Sequence, residues 1–403
     1  MTRPDVDLLD GTFYGGDPWP AFAWMRRHEP VYRDERNALW GVSRHADVKH
    51  VSKSPSRFSS AGGSRPDHVA MPFMIDMDAP EHHRRRRLVN SGFTPRRVGA
   101  AGPEIRRTCD EIIDRVCEAG SCDFVRDIAA PLPMIVIGEM LGVTPDAHDD
   151  LLRWSDQMMK ALGSPDPSAM ADAAQAFTDY SAYMSDRIAE RKLTRSSDDL
   201  IGTLVHAEID GDRLDHDSLL FESLLLLVGG DETTRHVLSG GMEVLIRDRP
   251  QFEALRDDRS LLGTAVEEML RWVSPIKNMA RSPRTVSVVG DRAIAAGDQL
   301  VLLYPSANRD EAVFPDAHRF DIGRQPNDHV AFGFGTHFCL GNSLARVELA
   351  CMVDRLLDRL PDLRLSSESE LPRRQANFVS GLESMPVEFT PTGRLGRVAG
   401  GGR

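Results

Sequence analysis

Cys339 lies in a glycine-rich segment that reads Phe332-Gly-Phe-Gly335-Thr-His337-Phe-Cys339-Leu-Gly341. Glycine lets a backbone adopt positive φ angles or approach another molecule closely. The residues after this segment, from Asn342 to Ala350, have the composition of a helix, which would place Cys339 at a helix N-terminus. Free amides and the helix dipole favour a thiolate there. The segment is predicted to hold a thiolate against a large, flat ligand, and a thiolate in that position can ligate haem iron. The alternative is a buried structural cysteine beside a turn.

An apolar run followed by two glycines, Leu225-Leu226-Leu-Val228-Gly229-Gly230, precedes Asp231-Glu232-Thr233-Thr. Two glycines inside a helix cost roughly 1 kcal/mol each relative to alanine. A helix that passes close over a flat cofactor accounts for that loss. Glu232 and Thr233 could then relay protons to a molecule bound there. The alternative is a polar cluster on a solvated face. Asp231 is a substitute acid, but it lies roughly 100° away around the helix.

A basic run, Glu81-His82-His83-Arg84-Arg85-Arg86-Arg87, contains a pair at helical spacing. His82 and Arg86 are one turn apart and could jointly hold two carboxylates. His83 with Arg87 is the same pair shifted by one residue and ranks second.

A second charged pair, Glu268 and Arg271, is three residues apart and therefore shares a helix face. The alternative for this pair is an ion pair on the surface.

Helical periodicity dominates the chain, and strand patterns are few. Ile105, Cys109, Ile112, Ile113 and Val116 fall on one helical face, which makes Cys109 a core residue. Further helices are predicted at 132–141, after Thr144-Pro145, from Ser218 past Leu245, and at 266–273; strands are predicted at 31–33, 39–42, 285–289, around Ile294, at 300–304 and at 387–389. The fold class is predicted to be mainly α with a small, partly antiparallel β region.

The composition limits the possible classes of protein. No linker divides the 403 residues, so one domain over 1–403 is expected, with a flexible tail from about 393 to 403. The net charge of -12 disfavours nucleic acid as a partner. The most apolar run, Leu224 to Val228, is too short to span a bilayer. Five irregularly spaced cysteines do not form a disulfide framework. We expect a cytoplasmic protein without an integral membrane anchor.

The cysteine segment resembles the haem-binding signature of the cytochrome P450 family, F-x-x-G-x-[HR]-x-C-x-G. Phe332, Gly335, His337, Cys339 and Gly341 fill this pattern. The resemblance covers residues from about Asp5 to Pro391. It implies the cytochrome P450 fold, with haem b between the long central helix and the cysteine loop. It also implies that Cys339 is the axial ligand of the iron and that O2 is the co-substrate.

The resemblance also implies roles for the other segments. Glu232 and Thr233 match the acid–alcohol pair of the family, and Gly229 and Gly230 lie where that helix passes the haem. Glu268 and Arg271 match its E-x-x-R motif, which would be tied to Arg324, with Arg319 the runner-up. The residues that match its contacts to the haem propionates are His82, Arg86, Arg281 and His337.

The chain is similar to the soluble bacterial members of the family, which take electrons from NAD(P)H through a ferredoxin reductase and a ferredoxin. The resemblance implies that a ferredoxin docks near Arg84, Arg85, Arg87 and the cysteine loop. A plain solvated face is the alternative for these arginines.

Four strings, at 59–63, 74–78, 229–235 and 377–386, resemble the actinobacterial sterol side-chain oxidases. Those enzymes hydroxylate the terminal methyl group (C26/C27) of cholesterol or cholest-4-en-3-one and oxidise it further to the carboxylic acid. The residues expected to contact the substrate are Met74, Leu225, Leu226, Val228, Asn278, Met279, Phe378 and Val379. The alternatives are another large hydrophobe (a fatty acid, terpene or macrolide) and a thiolate-haem sensor without turnover.

Overall fold

The computed structural model describes residues 2–66, 69–161, 166–194, 199–209 and 211–396, and it is mainly helical with small sheets, as predicted. The helices are α1 (Gly11–Gly15), α2 (Trp19–His28), α3 (His45–Ser52), α4 (Glu81–Asn90), α5 (Pro95–Val116), α6 (Pro131–Met140), α7 (His148–Lys160), α8 (Pro167–Leu193), α9 (Leu200–His206), α10 (His216–Arg247), α11 (Arg249–Asp257), α12 (Leu262–Val273), α13 (Tyr304–Ala307) and α14 (Asn342–Arg359). None of the helices in these ranges is long and apolar enough to cross a membrane.

The central element is α10, whose predicted span from Ser218 past Leu245 is confirmed. It begins at Asp215, whose carboxylate accepts a hydrogen bond from the backbone N–H of Ser218 at 2.8 Å and so caps the helix. It packs against α6, α12 and α14. A side chain at Gly241 would overlap Met269 of α12, so this glycine allows the close approach of the two helices. The long helix is therefore held on several sides.

The main core forms where α5 and α14 pack together beside α10 and α12. Ile105, Cys109, Ile112 and Ile113 are buried in it, which confirms the predicted face of α5 and the structural role of Cys109. A second core, formed largely by α6 to α9 and the first half of α10, lies beside it. The two cores fix α10 and α14, the helices that border the cysteine segment.

The strands are β1 (Val31–Asp34), β2 (Leu39–Val42), β3 (Phe58–Ser59), β4 (Ser121–Asp123), β5 (Asn278–Pro283), β6 (Ser287–Val289), β7 (Arg292–Ile294), β8 (Gln299–Leu303), β9 (Arg364–Leu365) and β10 (Pro386–Glu388). The largest sheet has the order β1-β2-β8-β5-β3, with β2 and β8 parallel and the other pairs antiparallel. The smaller sheets are β4-β10-β9 and the hairpin β6-β7.

Three expectations differ from the structure in detail. Strand β5 was not predicted, because its sequence Asn-Met-Ala-Arg-Ser-Pro has few residues that favour strands; pairing with β8 and β3 stabilises it instead. Pro145 begins a single 3-10 turn, and α7 starts only at His148. Tyr304 begins the short helix α13 and does not end a strand. Of the predicted tail, residues 397–403 lie outside the described residues.

Candidate active site

Cys339 lines a large cavity between α10 and the segment that precedes α14. Its backbone N–H donates to the carbonyl of Phe332 at 2.9 Å, which closes the loop. Burial raises the pKa of the thiol, while the backbone amides of Gly341 and Asn342 and the guanidinium of Arg86 act in the opposite direction. The helix start alone therefore does not ionise the cysteine. Coordination to a metal ion would, since a coordinating thiol is deprotonated.

Two glycines of the cysteine segment are required by its conformation. Gly333 and Gly335 have φ angles of 69° and 73°. A side chain at Gly335 would also overlap the carbonyl oxygen of Ser52 in α3. Gly341, in contrast, has an ordinary φ of -81°, and a Cβ atom built there meets no atom of the described residues within 4 Å apart from its neighbours in the chain. Gly341 therefore leaves space at the cavity wall.

Opposite this segment, α10 contributes Gly229, Gly230, Thr233 and Thr234 to the cavity. A Cβ atom at Gly229 would meet no described residue outside its own turn of α10 within 4 Å, whereas one at Gly230 would lie 3.4 Å from the side chain of Ile137. The helix thus has an open face at Gly229. The glycines and the cysteine segment border one space that is suited to a flat molecule.

The predicted proton-relay pair is divided between two environments. Thr233 lines the cavity and donates its hydroxyl hydrogen bond to the carbonyl of Gly229 at 2.8 Å. Glu232 does not line the cavity; it is fully buried and pairs with Arg235 and with Arg374, the latter at 2.8 Å. Burial would raise the pKa of the Glu232 carboxyl, but His236, 3.3 Å away, and the charges of Arg235 and Arg374 hold it well below its usual value.

Two further acids near the cavity are buried with few partners. Asp231 accepts a hydrogen bond from Ser155 at 3.0 Å, and burial raises its pKa to about 7. Glu348, which the sequence analysis did not identify, lines the cavity beside Thr234. Burial raises its pKa to about 8, although the hydroxyl of Thr234 opposes the shift. Glu348 lies in an ordinary helical pattern, so no motif marked it.

Four basic side chains converge on the rim of the same cavity: His82, Arg86, Arg281 and His337. The rings of His82 and His337 are 4.1 Å apart between centroids. Burial, together with the neighbouring cations, lowers the pKa of His82 to about 4 and that of His337 to about 2. Among the described residues, none of the four forms an ion pair with a carboxylate.

This cluster provides the test of whether haem fits. The buried Nδ1 of His82 has no hydrogen-bond partner within the described chain. A group that brings two carboxylates would neutralise the cluster, and haem carries two propionates. The open faces of Gly229 and Gly341 and the sulfur of Cys339 border the same space. The residues that are present therefore fit the cofactor that the sequence predicts.

The structure distinguishes the two possible pairs in the basic run. His82 and Arg86 line the cavity, and Arg86 also donates to the carbonyls of Thr336 and Phe338. His83 and Arg87 are exposed. The pair that was ranked first is thus the one that faces the cavity.

Arg85 differs from the expectation that it faces outward. Its guanidinium donates to Glu222 at 3.1 Å and to the carbonyl of Pro72 at 2.8 Å, and only 11% of its side chain is exposed. The buried carboxylate of Glu222, which is distant in sequence, draws it inward. Arg84 remains at the surface, next to Glu81 and Asp212.

Glu268 is the centre of a buried network below the cavity. Its carboxylate accepts hydrogen bonds from Arg271 at 2.7 Å, from Arg324 at 3.1 Å, and from the backbone N–H of Asp321 at 2.9 Å. Arg319 contributes only its carbonyl oxygen, which accepts from Arg271 and Arg324. The network joins α12 to the chain that leads to the cysteine segment, and the arginine that reaches Glu268 is Arg324.

The predicted substrate contacts separate into two sets. Met74, Leu225, Leu226 and Met279 line the cavity, whereas Val228, Asn278, Phe378 and Val379 are not among its lining residues. The side chain of Asn278 instead donates to the carbonyl of Asn377 at 2.8 Å. Apolar lining residues that the sequence analysis did not identify are Phe93, Ile137, Val237, Leu270, Ile276 and Leu344. They come from elements that are far apart in sequence, so no local pattern marked them.

The family model described as Cytochrome P450 matches residues 150–382. The chain is 53% identical over 394 residues to a steroid C26-monooxygenase of Mycolicibacterium smegmatis, covering 97% of this chain and 98% of that protein. It is 53% identical over 399 residues to a steroid C26-monooxygenase of Mycobacterium tuberculosis, covering 98% and 99%. Among solved structures, CYP109Q5 from Chondromyces apiculatus is 33% identical with a TM-score of 0.88, covering 97% of this chain and 100% of that one.

Proposed function

The chain belongs to the cytochrome P450 family, and from this premise we propose that it is a single-domain, haem-dependent monooxygenase that hydroxylates the terminal methyl group of a sterol side chain. The sterol is cholesterol or cholest-4-en-3-one, and further rounds of oxidation give the carboxylic acid. The observation that carries the proposal is the 53% identity to steroid C26-monooxygenases over nearly the whole length of both chains. The cavity bordered by Cys339 supports it independently.

In this proposal, haem b is held by Cys339 at the iron and by His82, Arg86, Arg281 and His337 at the propionates. The bound cofactor supplies the activation of O2 and the insertion of one oxygen atom into a C–H bond. Phe332, Gly335 and Gly341 would shape the loop that borders the haem, and Gly229 would leave the facing surface of α10 open, while the neighbouring Gly230 packs toward Ile137. The Glu268 network holds the chain that leads to the cysteine in place.

Proton delivery is assigned to Thr233 and Glu232. The hydroxyl of Thr233 is the polar group of the pair that faces the cavity, so it would hold a proton beside the bound O2. Glu232 lies behind it and is anchored by Arg374 at 2.8 Å and by Arg235. Both arginines would have to move away from the carboxylate before it could exchange a proton with solvent. This arrangement suits turnover, because a sensor that only binds a gas needs no route for protons.

The cavity walls are compatible with a sterol. Met74, Leu225, Leu226 and Met279 line it, and its other lining residues away from the basic rim are predominantly apolar. A large hydrophobe with few polar groups gains most of its affinity from such walls. Val228, Asn278, Phe378 and Val379 do not line the cavity and remain proposed as substrate contacts on the sequence resemblance alone.

The electrons are proposed to come from NAD(P)H through a ferredoxin reductase and a ferredoxin, in the cytoplasm. The ferredoxin would dock beside the cysteine loop near Arg84 and Arg87, which are exposed. Arg85 is engaged with Glu222 and contributes less than the sequence suggested. Local positive charge on a chain with a net charge of -12 would direct an acidic partner to this face.

Two measurements test the proposal. Titration with cholest-4-en-3-one should shift the absorption spectrum of the haem-loaded protein and saturate; a shift with a fatty acid and none with the sterol would refute the sterol assignment. The Cys339→Ser variant should lose the thiolate-type spectrum of the ferrous–CO form, while Cys351→Ser, altered on α14 away from the cavity, should keep it. A thiolate-type spectrum in Cys339→Ser would refute the assignment of the iron ligand.

A further inference from the structure

A second cavity of about 380 Å³ lies beside a different stretch of α10 from the one that lines the main cavity. Its walls come from the segment around Trp19, from α10 at His236 to Val244, from the end of α12, and from residues 370–382. No role in the proposed reaction uses it. Its lining contains several basic groups, and two of them are buried without an acidic partner in the part of the chain that the structure describes.

Lys277 is the most unusual of these groups. It is only 9% exposed, and its ammonium group donates to the carbonyl of Ser274 at 3.1 Å and, more weakly, to that of Val273 at 3.4 Å. Those carbonyls belong to the C-terminal end of α12, so the lysine caps the helix. No carboxylate among the described residues forms an ion pair with it. Burial, followed by the charges of Arg373 and Arg309, lowers the pKa of the ammonium group to about 7.

Arg309 is the second buried cation, with 3% exposure. Its guanidinium carbon lies 3.5 Å from the ring centroid of Trp19 and 4.3 Å from that of Trp272, so the two indoles hold it in place. It donates to the carbonyl of Trp272 at 3.0 Å. It too has no carboxylate partner within the described ranges. Burial, then the nearby Arg271, lowers its pKa.

The acids at this cavity do not neutralise these cations. Glu243 accepts from Arg373 at 2.8 Å and from Arg247 at 3.3 Å, so its charge is already shared by two arginines. Asp17 and Glu370 are exposed. The Nδ1 atom of His236, buried at the same wall, has no hydrogen-bond partner among the described residues.

The buried wall therefore carries an excess of positive charge. Lysine and arginine are almost never fully buried without a partner, because removing an ammonium or guanidinium group from water is costly unless an opposite charge offsets it. Two such groups at one cavity indicate that an anion belongs there. Arginine and lysine together are a common combination for phosphate, which has between one and two negative charges at neutral pH.

We propose that this cavity is a binding site for a phosphate group, either inorganic phosphate or the phosphate of a small metabolite, held by Lys277 and Arg309 with support from Arg373. The cavity is large enough for either. The site is separate from the haem cavity and does not depend on the proposed reaction.

The position of Lys277 connects the two cavities. Its backbone N–H donates to the carbonyl of Phe378 at 2.7 Å, and the preceding residue, Ile276, pairs with Val379 and lines the main cavity. A bound anion would therefore stabilise the segment that forms one wall of the proposed sterol site.

The test uses the haem-loaded protein and inorganic phosphate as the probe, with sodium chloride added to keep the ionic strength constant. Isothermal titration calorimetry should give saturable binding with one site per chain, and the midpoint of thermal unfolding should rise with phosphate concentration. Glycerol phosphate is titrated in parallel. Tighter binding of the ester than of phosphate supports a metabolite as the ligand, and the reverse supports free phosphate.

Variants of Lys277 make the assignment specific. Lys277→Met should weaken phosphate binding by at least about tenfold, since it removes a charge-assisted hydrogen bond. Lys277→Arg keeps the charge and should retain binding. Lys192→Met, at the exposed end of α8, should bind like the unaltered protein. The proposal is overturned if Lys277→Met binds phosphate as tightly as the unaltered protein. It is also overturned if neither phosphate nor its ester binds saturably, or if acetate binds more tightly than phosphate.

Discussion

The buried Glu268 network allows the sharpest comparison of two variants, because an adjacent glutamate serves as the control. Glu268 is fully buried and accepts hydrogen bonds from Arg271, Arg324, Asn327 and the backbone of Asp321. Glu268→Gln keeps the shape but removes the charge, and it places an amide N–H₂ beside the guanidinium groups of Arg271 and Arg324, which only donate. The buried guanidinium groups of Arg271 and Arg324 then lose the carboxylate that both of them bind.

The expected cost follows from this burial. Breaking a buried ion pair by removing one partner costs about 3 to 5 kcal/mol, out of a total of roughly 5 to 15 kcal/mol for a typical domain. Glu267 also binds an arginine, Arg346 at 2.6 Å, and the buried ring of His329 at 3.0 Å, but its own side chain is 28% exposed and that of Arg346 is 34% exposed. Water can replace part of the lost interactions there, so Glu267→Gln should cost about 1 to 2 kcal/mol, less than Glu268→Gln.

Urea unfolding of the haem-loaded proteins, followed by circular dichroism, measures both variants. Because cofactor loss can accompany unfolding, the fraction of purified chain that carries haem is measured beside it. We expect Glu268→Gln to lose several kcal/mol and to retain less haem, and Glu267→Gln to lose clearly less stability and to retain haem like the unaltered protein. If Glu268→Gln unfolds within about 1 kcal/mol of Glu267→Gln, the buried network does not carry the stability assigned to it here.

Three further predictions concern single residues. Thr233→Ala should lower the amount of product formed per electron consumed. The control is Thr178→Ala at an exposed position of α8, where the hydroxyl makes the same hydrogen bond to the carbonyl four residues earlier, and this variant should keep the ratio. An unchanged ratio of product to electrons in Thr233→Ala would exclude the hydroxyl from proton delivery. Burial raises the pKa of Glu222 from 4.5 to about 7, so the folded state binds more protons than the unfolded state between these values and loses stability as the pH rises through them. The stability of Glu222→Gln measured against that of the unaltered protein should therefore rise by up to about 3 kcal/mol as the pH increases from 5 to 8 in urea unfolding, and a difference that is independent of pH would contradict this. Gly335→Ala should lower the free energy of unfolding by about 1 to 3 kcal/mol, because alanine is strained at the positive φ of this position. Gly99→Ala, in an open stretch of α5, should leave the free energy of unfolding unchanged or raise it. Equal midpoints of thermal unfolding for the two variants would refute the conformational argument.

Features set by local sequence were predictable. The span of α10 follows from its cap at Asp215 and from the apolar residues on either side of its polar stretch 231–236, and the positive φ of Gly335 follows from its place in a turn before a helix. The pairing of Glu268 with Arg271 follows from helical spacing. In these cases, residues within one or two turns determine the geometry.

Features set by distant residues were not predictable. Arg374 is 142 positions from Glu232, and no pattern in α10 indicates that the carboxylate would turn away from the cavity to meet it. Glu222 draws Arg85 inward across 137 positions. Strand β5 exists because β8 and β3 supply its hydrogen bonds, although its own residues do not favour a strand. Tertiary partners override local preference at each of these points.

The most direct test of the proposed function is a turnover assay with cholest-4-en-3-one, O2, NAD(P)H and a surrogate ferredoxin and reductase, with products identified by mass spectrometry. The proposal predicts a product that carries one oxygen atom from O2 at the terminal methyl group of the side chain, followed by the corresponding carboxylic acid. Oxygen inserted into the ring system, or no product from a protein that retains its thiolate-bound haem, would contradict it.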